Sequence, residues 1–202
     1  MAVNQEGHLF AGSSEPSGGS VFRSLDNGAS WTQVGFSLGR TQIMTLAVDP
    51  RGYVFAGSAS GFLFRSTDNG DTWKRVYTGE LSLWNPPLIS NQEGDLFYAT
   101  RNGVIRSTDR GETWSVFNNE LTGREVFSIA INQEGHLFAA IPDHVYRSTD
   151  NGLSWTQTRF REAHSFLNLL VGALGVNESG HIYAATSGGV YRSTDGGRRG
   201  QK

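Results

Sequence analysis

Six side chains lie where the chain repeats itself least and where chemistry would have to be done: Arg40, Trp84, Arg101, Arg124, Arg161 and His164. A guanidinium is a rigid fork of N–H donors that matches the oxygens of an anion. Two or three of these arginines beside an aromatic platform would make an anion or glycan pocket. Arg40 and Arg124 each follow a glycine just ahead of a small-residue strand, a placement that would aim both toward a central channel. The plainer reading is solvated loop charge, with the tryptophan covering the top of a sheet. It outweighs the pocket, because pockets are few per protein.

Other chemistries find less support. His8, His136 and His181 occupy one slot in separate repeats, with Tyr53 and Asp95 in the other two, so they should lie far apart. Only His144 and His164 fall outside that pattern, and a metal needs three or four convergent ligands. No metal and no cofactor is expected. With no cysteine, disulfides and thiolate chemistry are excluded, which says nothing about compartment. A net charge of −2 implies no general attraction to nucleic acid or anionic membranes. No apolar run approaches the roughly 20 residues of a membrane helix. The start, Met1 to Glu6, has neither a basic nor an apolar leader region, so no signal peptide is expected.

The elements that must position any site are repeats. Arg65-Ser66-Thr67-Asp68-Asn69-Gly70-Asp71-Thr72-Trp73 recurs with Ser24, Asp26, Gly28 and Trp31, with Ser107, Asp109, Gly111 and Trp114, and with Ser148, Asp150, Gly152 and Trp155. A fifth copy has Ser193 and Asp195 but no tryptophan. The tryptophans are 42, 41 and 41 residues apart, a period that marks propeller blades. Each copy sits between two short apolar runs and reads as strand, tight turn, strand. The aspartate accepts turn N–H groups, the glycine supplies positive φ, and the tryptophan carries apolar area back between sheets. The arginine ahead of each copy (Arg23, Arg65, Arg106, Arg147 and Arg192) recurs once per repeat and should be spread out, not gathered into a basic patch.

Between these copies lies a second repeat, Asn4-Gln5-Glu6-Gly7-His8-Leu9-Phe10-Ala11, restated letter for letter at 132–139 and in variant form elsewhere. A strand of small and β-branched residues precedes it. Four strand positions follow, counted outward from an axis: A is the small-residue strand, B follows the Asn-Gln-Glu-Gly turn, C precedes the aspartate motif, and D begins at its tryptophan.

The Ser-x-Asp-x-Gly-x-Thr/Ser-Trp pattern resembles the Asp-box, or bacterial neuraminidase repeat, of sialidases, xyloglucanases, sortilin-type receptors and photosystem II assembly-factor-like proteins. The resemblance implies an all-β propeller of about five four-stranded blades over residues 1–202. It also implies that the boxes lie at outer turns, away from any active centre, and it favours an extracytoplasmic setting. A sialidase-like enzyme would need three converging arginines, a Tyr/Glu nucleophile pair and an acidic Asp. The chain lacks an arginine-isoleucine-proline signature; Ala140-Ile141-Pro142 has no arginine.

The first and last blades come out incomplete, with only a stub of A at Ala2-Val3 and an off-pattern tail at 198–202 where the last D should stand. A piece of a longer propeller and an incomplete ring that self-associates through its terminal blades both explain this. The loops from D to the next A (35–42, 78–87, 118–125 and 159–168) are where blades differ, and ligands bind at variable loops on rigid scaffolds. The expectation is a non-catalytic binding or scaffold module for a protein or glycan, with no catalytic residues assigned. A glycoside hydrolase of sialidase or xyloglucanase type, or a multivalent lectin, are the alternatives.

Overall fold

The computed structural model describes residues 1–14, 19–35, 38, 41–79, 87–117, 119–159 and 170–198. These form five antiparallel sheets. The first is β1 (Ala2–Val3), β2 (Leu9–Gly12), β3 (Val21–Ser24) and β4 (Thr32–Gln33). The second is β5 (Ile43–Val48), β6 (Val54–Ser58), β7 (Phe62–Ser66) and β8 (Lys74–Thr78). The third is β9 (Leu88–Ser90), β10 (Leu96–Thr100), β11 (Gly103–Ser107) and β12 (Ser115–Val116). The fourth is β13 (Ser128–Ile131), β14 (Leu137–Ile141), β15 (His144–Ser148) and β16 (Thr156–Gln157). The last has three strands, β17 (Val171–Val176), β18 (Ile182–Thr186) and β19 (Gly189–Ser193). In every sheet the strands lie side by side in chain order. Among the described residues, the multi-residue element other than strands is a 3-10 turn at Asn119–Leu121, with Leu121 buried.

The chain divides into two compact units, 1–98 with 106–115, and 99–105 with 116–202. In the first, Phe10, Val21, Ile43, Val54 and Phe64 share a core between the first two sheets. In the second, Phe138, Val145, Val171, Ile182 and Tyr191 do the same for the last two. The B strands β6, β10 and β14 are buried at every residue. A strand covered on both faces needs a continuous apolar run, and that is what these sequences supply.

Each box is a hydrogen-bonded clip. Ser66 Oγ donates to Asp68 Oδ1 (2.7 Å) and accepts from Gly70 N (2.8 Å), while Thr72 N donates to the same carboxylate (2.8 Å). The same bonds recur from Ser24, Ser107 and Ser148, and the serine's two recur from Ser193. The box glycines have φ between 82° and 95° at 28, 70, 111 and 152, and the residue before each is left-handed too: Asn27, Asn69, Arg110 and Asn151, at 56–60°. Asparagine tolerates that region well, whereas Arg110 does so at a cost.

The tryptophans are less uniform than the motif implies. Trp155 is only 2% exposed, but Trp31 keeps 40% of its surface open instead of lodging between sheets. Trp31 and Trp73 donate their indole N–H to the box glycine carbonyls, at 3.2 and 2.8 Å.

Tyr98 stands where other B strands carry alanine (Ala11, Ala56, Ala139, Ala184). It fits because Gly57 opposes it: a Cβ there would meet Tyr98 Oη at 2.7 Å. The Tyr98 hydroxyl is buried without a partner, and burial holds its ionisation well above the usual phenol range. Leaving a buried polar group unpaired costs about 1–3 kcal/mol. Tyr98→Phe should therefore raise stability by about 1 kcal/mol in urea unfolding. A loss of stability would show that the hydroxyl has a partner after all.

Candidate functional site

The arginine ahead of each box, an obvious cation for ligand binding, is clamped onto the next box in two of the five repeats. Arg23 Nη1 donates to Asn69 O (2.6 Å) and pairs with Asp71 (2.9 Å), 46 and 48 residues further on. Arg65 repeats this on the third box, donating to Arg110 O (2.8 Å) and pairing with Glu112. Both side chains are largely buried. Beneath each arginine its cross-strand partner, Phe10 or Phe55, points an edge carbon at the same box. Phe10 Cε1 lies 3.4 Å from where a Cβ on Gly70 would stand, and Phe55 Cε1 lies 3.0 Å from the equivalent point on Gly111. One sheet thus holds the next box by an ionic clamp above and an aromatic edge below. Sequence reading saw the arginines recur but could not see where they reach.

The slot of His8, Tyr53, Asp95 and His136 belongs to the same machinery. His8 Nδ1 is 2.9 Å from Asn69 Nδ2, Arg65 lies over the Tyr53 ring, Asp95 pairs with Arg106 at 3.0 Å, and His136 lies 3.0 Å from Arg147. Among the described residues no group of three or more His, Asp or Glu side chains is placed to hold a metal ion.

Of the six residues singled out for chemistry, Arg40, Trp84, Arg161 and His164 lie outside the described residues. Arg101 and Arg124 are both exposed and stand on adjoining loops of the second unit. Asn102 Oδ1, at the tip of the β10–β11 hairpin, accepts from Gly123 N at 2.5 Å and ties the hairpin to the loop after β12. That loop is shaped by its 3-10 turn, with Arg124 N donating to Leu121 O (3.1 Å).

The Arg124 guanidinium lies 5.9 Å from the centre of the Tyr146 ring, within cation–π range. His144 packs edge-on against that ring, with its Nδ1 3.1 Å from Asp143 but outside hydrogen-bonding geometry. Tyr146 occupies an ordinary strand position that no motif marks, and His144 stands out in the sequence only as a histidine outside the repeated slot. Burial pushes the Tyr146 phenol up, as do Glu120 and Asp143, against the opposing pull of Arg124. A tyrosine nucleophile needs the reverse, a phenol made easier to ionise. The arrangement offers cations, a ring and a histidine for contact.

The carboxyl groups are tuned in the direction of structure. Hydrogen bonds from Ser30 and Ser24 hold Asp26 at about 2. For Asp68, Asp109 and Asp150, burial pushes upward, but hydrogen bonds from Thr72, Thr113 and Ser154 with the box serines outweigh it and leave each carboxyl low. A glycosidase acid needs a carboxyl held high.

The BNR/Asp-box repeat model matches residues 64–75 and 105–116, so the chain carries repeats of that type. No curated protein matches significantly. Among solved structures, a Niastella koreensis GH74 enzyme is 20% identical over the whole chain, with a TM-score of 0.74. The GH74 xyloglucanase of Xanthomonas campestris is 18% identical over 99% of the chain, at 0.77. YCF48 bound to D1 peptide is 13% identical over the whole chain, at 0.73. The chain spans 30% and 37% of the two GH74 structures and 66% of YCF48. At these identities the likeness establishes the fold: consecutive antiparallel blades of β-propeller type. Among the described residues, no helix is long and apolar enough to cross a membrane.

Proposed function

We propose that this chain is a non-catalytic binding module whose ligand, a protein segment or a glycan, sits on the β10–β11 hairpin and the loop after β12 in the second unit. The observation that carries this reading is the Asn102–Gly123 bond, which holds two exposed arginines on adjoining loops, with the Tyr146 ring and His144 close to the second. The box arginines 23 and 65 are occupied by their clamps and the box carboxylates by their turns, leaving the variable loops as the surface with donors to offer. A structural neighbour holding a peptide supports a protein ligand on this scaffold.

Peptide-display and glycan-array binding of the full chain tests the proposal. Arg101→Ala with Arg124→Ala is expected to lower binding of any selected ligand at least tenfold without loss of folding. Unchanged binding by that double variant would place the ligand elsewhere.

A second reading, a glycoside hydrolase, is favoured by the GH74 neighbours. It predicts release of reducing sugar from xyloglucan or of sialic acid from sialyl substrates.

A further inference from the structure

We propose that the second unit carries an oxyanion site, distinct from the Arg101 and Arg124 loops, where the position that holds the acid of the ionic clamp in two other repeats holds a base. The residue after the box glycine is Asp71 in the second repeat and Glu112 in the third, and each pairs with the arginine of the preceding sheet. The same position in the fifth box is Arg198. The arginine that addresses this box is Arg147, whose Nη2 lies 3.6 Å from where a Cβ on Gly196 would stand. The aromatic half of the joint is kept, with Phe138 Cε1 2.7 Å from the equivalent point on Gly197. The packing is therefore conserved within the molecule while the charge is reversed.

A cavity of about 220 Å³ opens at this point, lined by Arg147, Arg159, Arg198, Gly197 and the Thr156–Thr158 strand end. Among the described residues no acidic side chain pairs with any of the three arginines; Glu134 lies instead against the His136 ring, at 2.9 Å. An unpartnered Nε is common to Arg23, Arg65, Arg106 and Arg147, so it does not single out this repeat. The base does: the position after the box glycine is Ala29 in the first repeat and Leu153 in the fourth, and only the fifth puts a cation there. Three guanidinium groups around one cavity repel one another until an anion joins them. A carboxylate, sulfate or phosphate supplies the oxygens that Asp71 or Glu112 supplies elsewhere.

The test is calorimetric titration of the full chain with sodium sulfate, inorganic phosphate and sodium glucuronate at constant ionic strength. Saturable binding of at least one of them is expected, and which one binds tightest separates a free inorganic ion from an acidic sugar. Arg198→Glu should lower that affinity at least tenfold. It should also raise the unfolding temperature in the absence of the anion, because it rebuilds the Arg–acid pair seen at Arg65 and Glu112. Arg159→Ala should weaken binding while leaving the unfolding temperature nearly unchanged. Undiminished binding by both variants, or heats that never saturate for any of the three anions, would overturn the assignment.

Discussion

Gly111→Ala is expected to destabilise the chain by roughly 2–5 kcal/mol, while Gly52→Ala costs only about 1–2 kcal/mol. Both glycines are left-handed, at φ 83° and 87°, so both substitutions carry the same backbone penalty. They differ in what the new methyl meets. At Gly52 nothing lies within 4 Å, but at Gly111 the Phe55 edge stands at 3.0 Å, with Leu96 and Trp114 behind it. Phe55 is fully buried and has nowhere to retreat, so the overpacking cost of roughly 1–3 kcal/mol is added. Urea unfolding of the two variants beside the parent measures the difference directly. Equal losses would mean that the box glycine serves only its own turn and that the aromatic edge contributes nothing to the joint between sheets.

Acid should undo the fold through the box aspartates. Asp26, Asp68, Asp109 and Asp150 are all held below the ordinary aspartate value of 3.8 in the folded chain. The folded state therefore binds protons less readily than the unfolded one. Its advantage is fully present above the unfolded value and is lost as pH falls through the folded values, which for Asp26 is about 2. The unfolding temperature is expected to hold steady down to about pH 4–5 and then drop steeply toward pH 2. Because several carboxyls titrate together, the drop should correspond to uptake of more than one proton on unfolding. Asp68→Asn should lower stability at neutral pH and flatten the acid slope, since Thr72 and Ser66 lose a carboxylate acceptor. A pH profile for Asp68→Asn with the parent's slope would show that the acid sensitivity resides elsewhere.

The legible part of this molecule is the part built from neighbours in sequence. The box hairpin, the Asn-Gln-Glu-Gly turn with Asn4 Oδ1 accepting from Glu6 N and His8 N, and the order of strands across each sheet all follow from local spacing and short apolar runs. The left-handed residue ahead of each box glycine was missed, although asparagine at 27, 69 and 151 signalled it. The candidate site was legible only as a class of loop. Arg101 and Arg124 were picked as variable-loop cations, but the Asn102 bond that brings their loops together and the Tyr146 ring under Arg124 have no motif of their own.

What the sequence by itself determined is the clip, because each of its bonds closes within four residues and needs only the right donor two or four places away. What the tertiary structure decided is how one clip is held to the next. The Arg23 and Arg65 clamps span 45–48 residues, and nothing local tells a clamping arginine from one left facing Arg198. A guanidinium's role depends on which charge another sheet places opposite it, and that juxtaposition exists only once the sheets have packed.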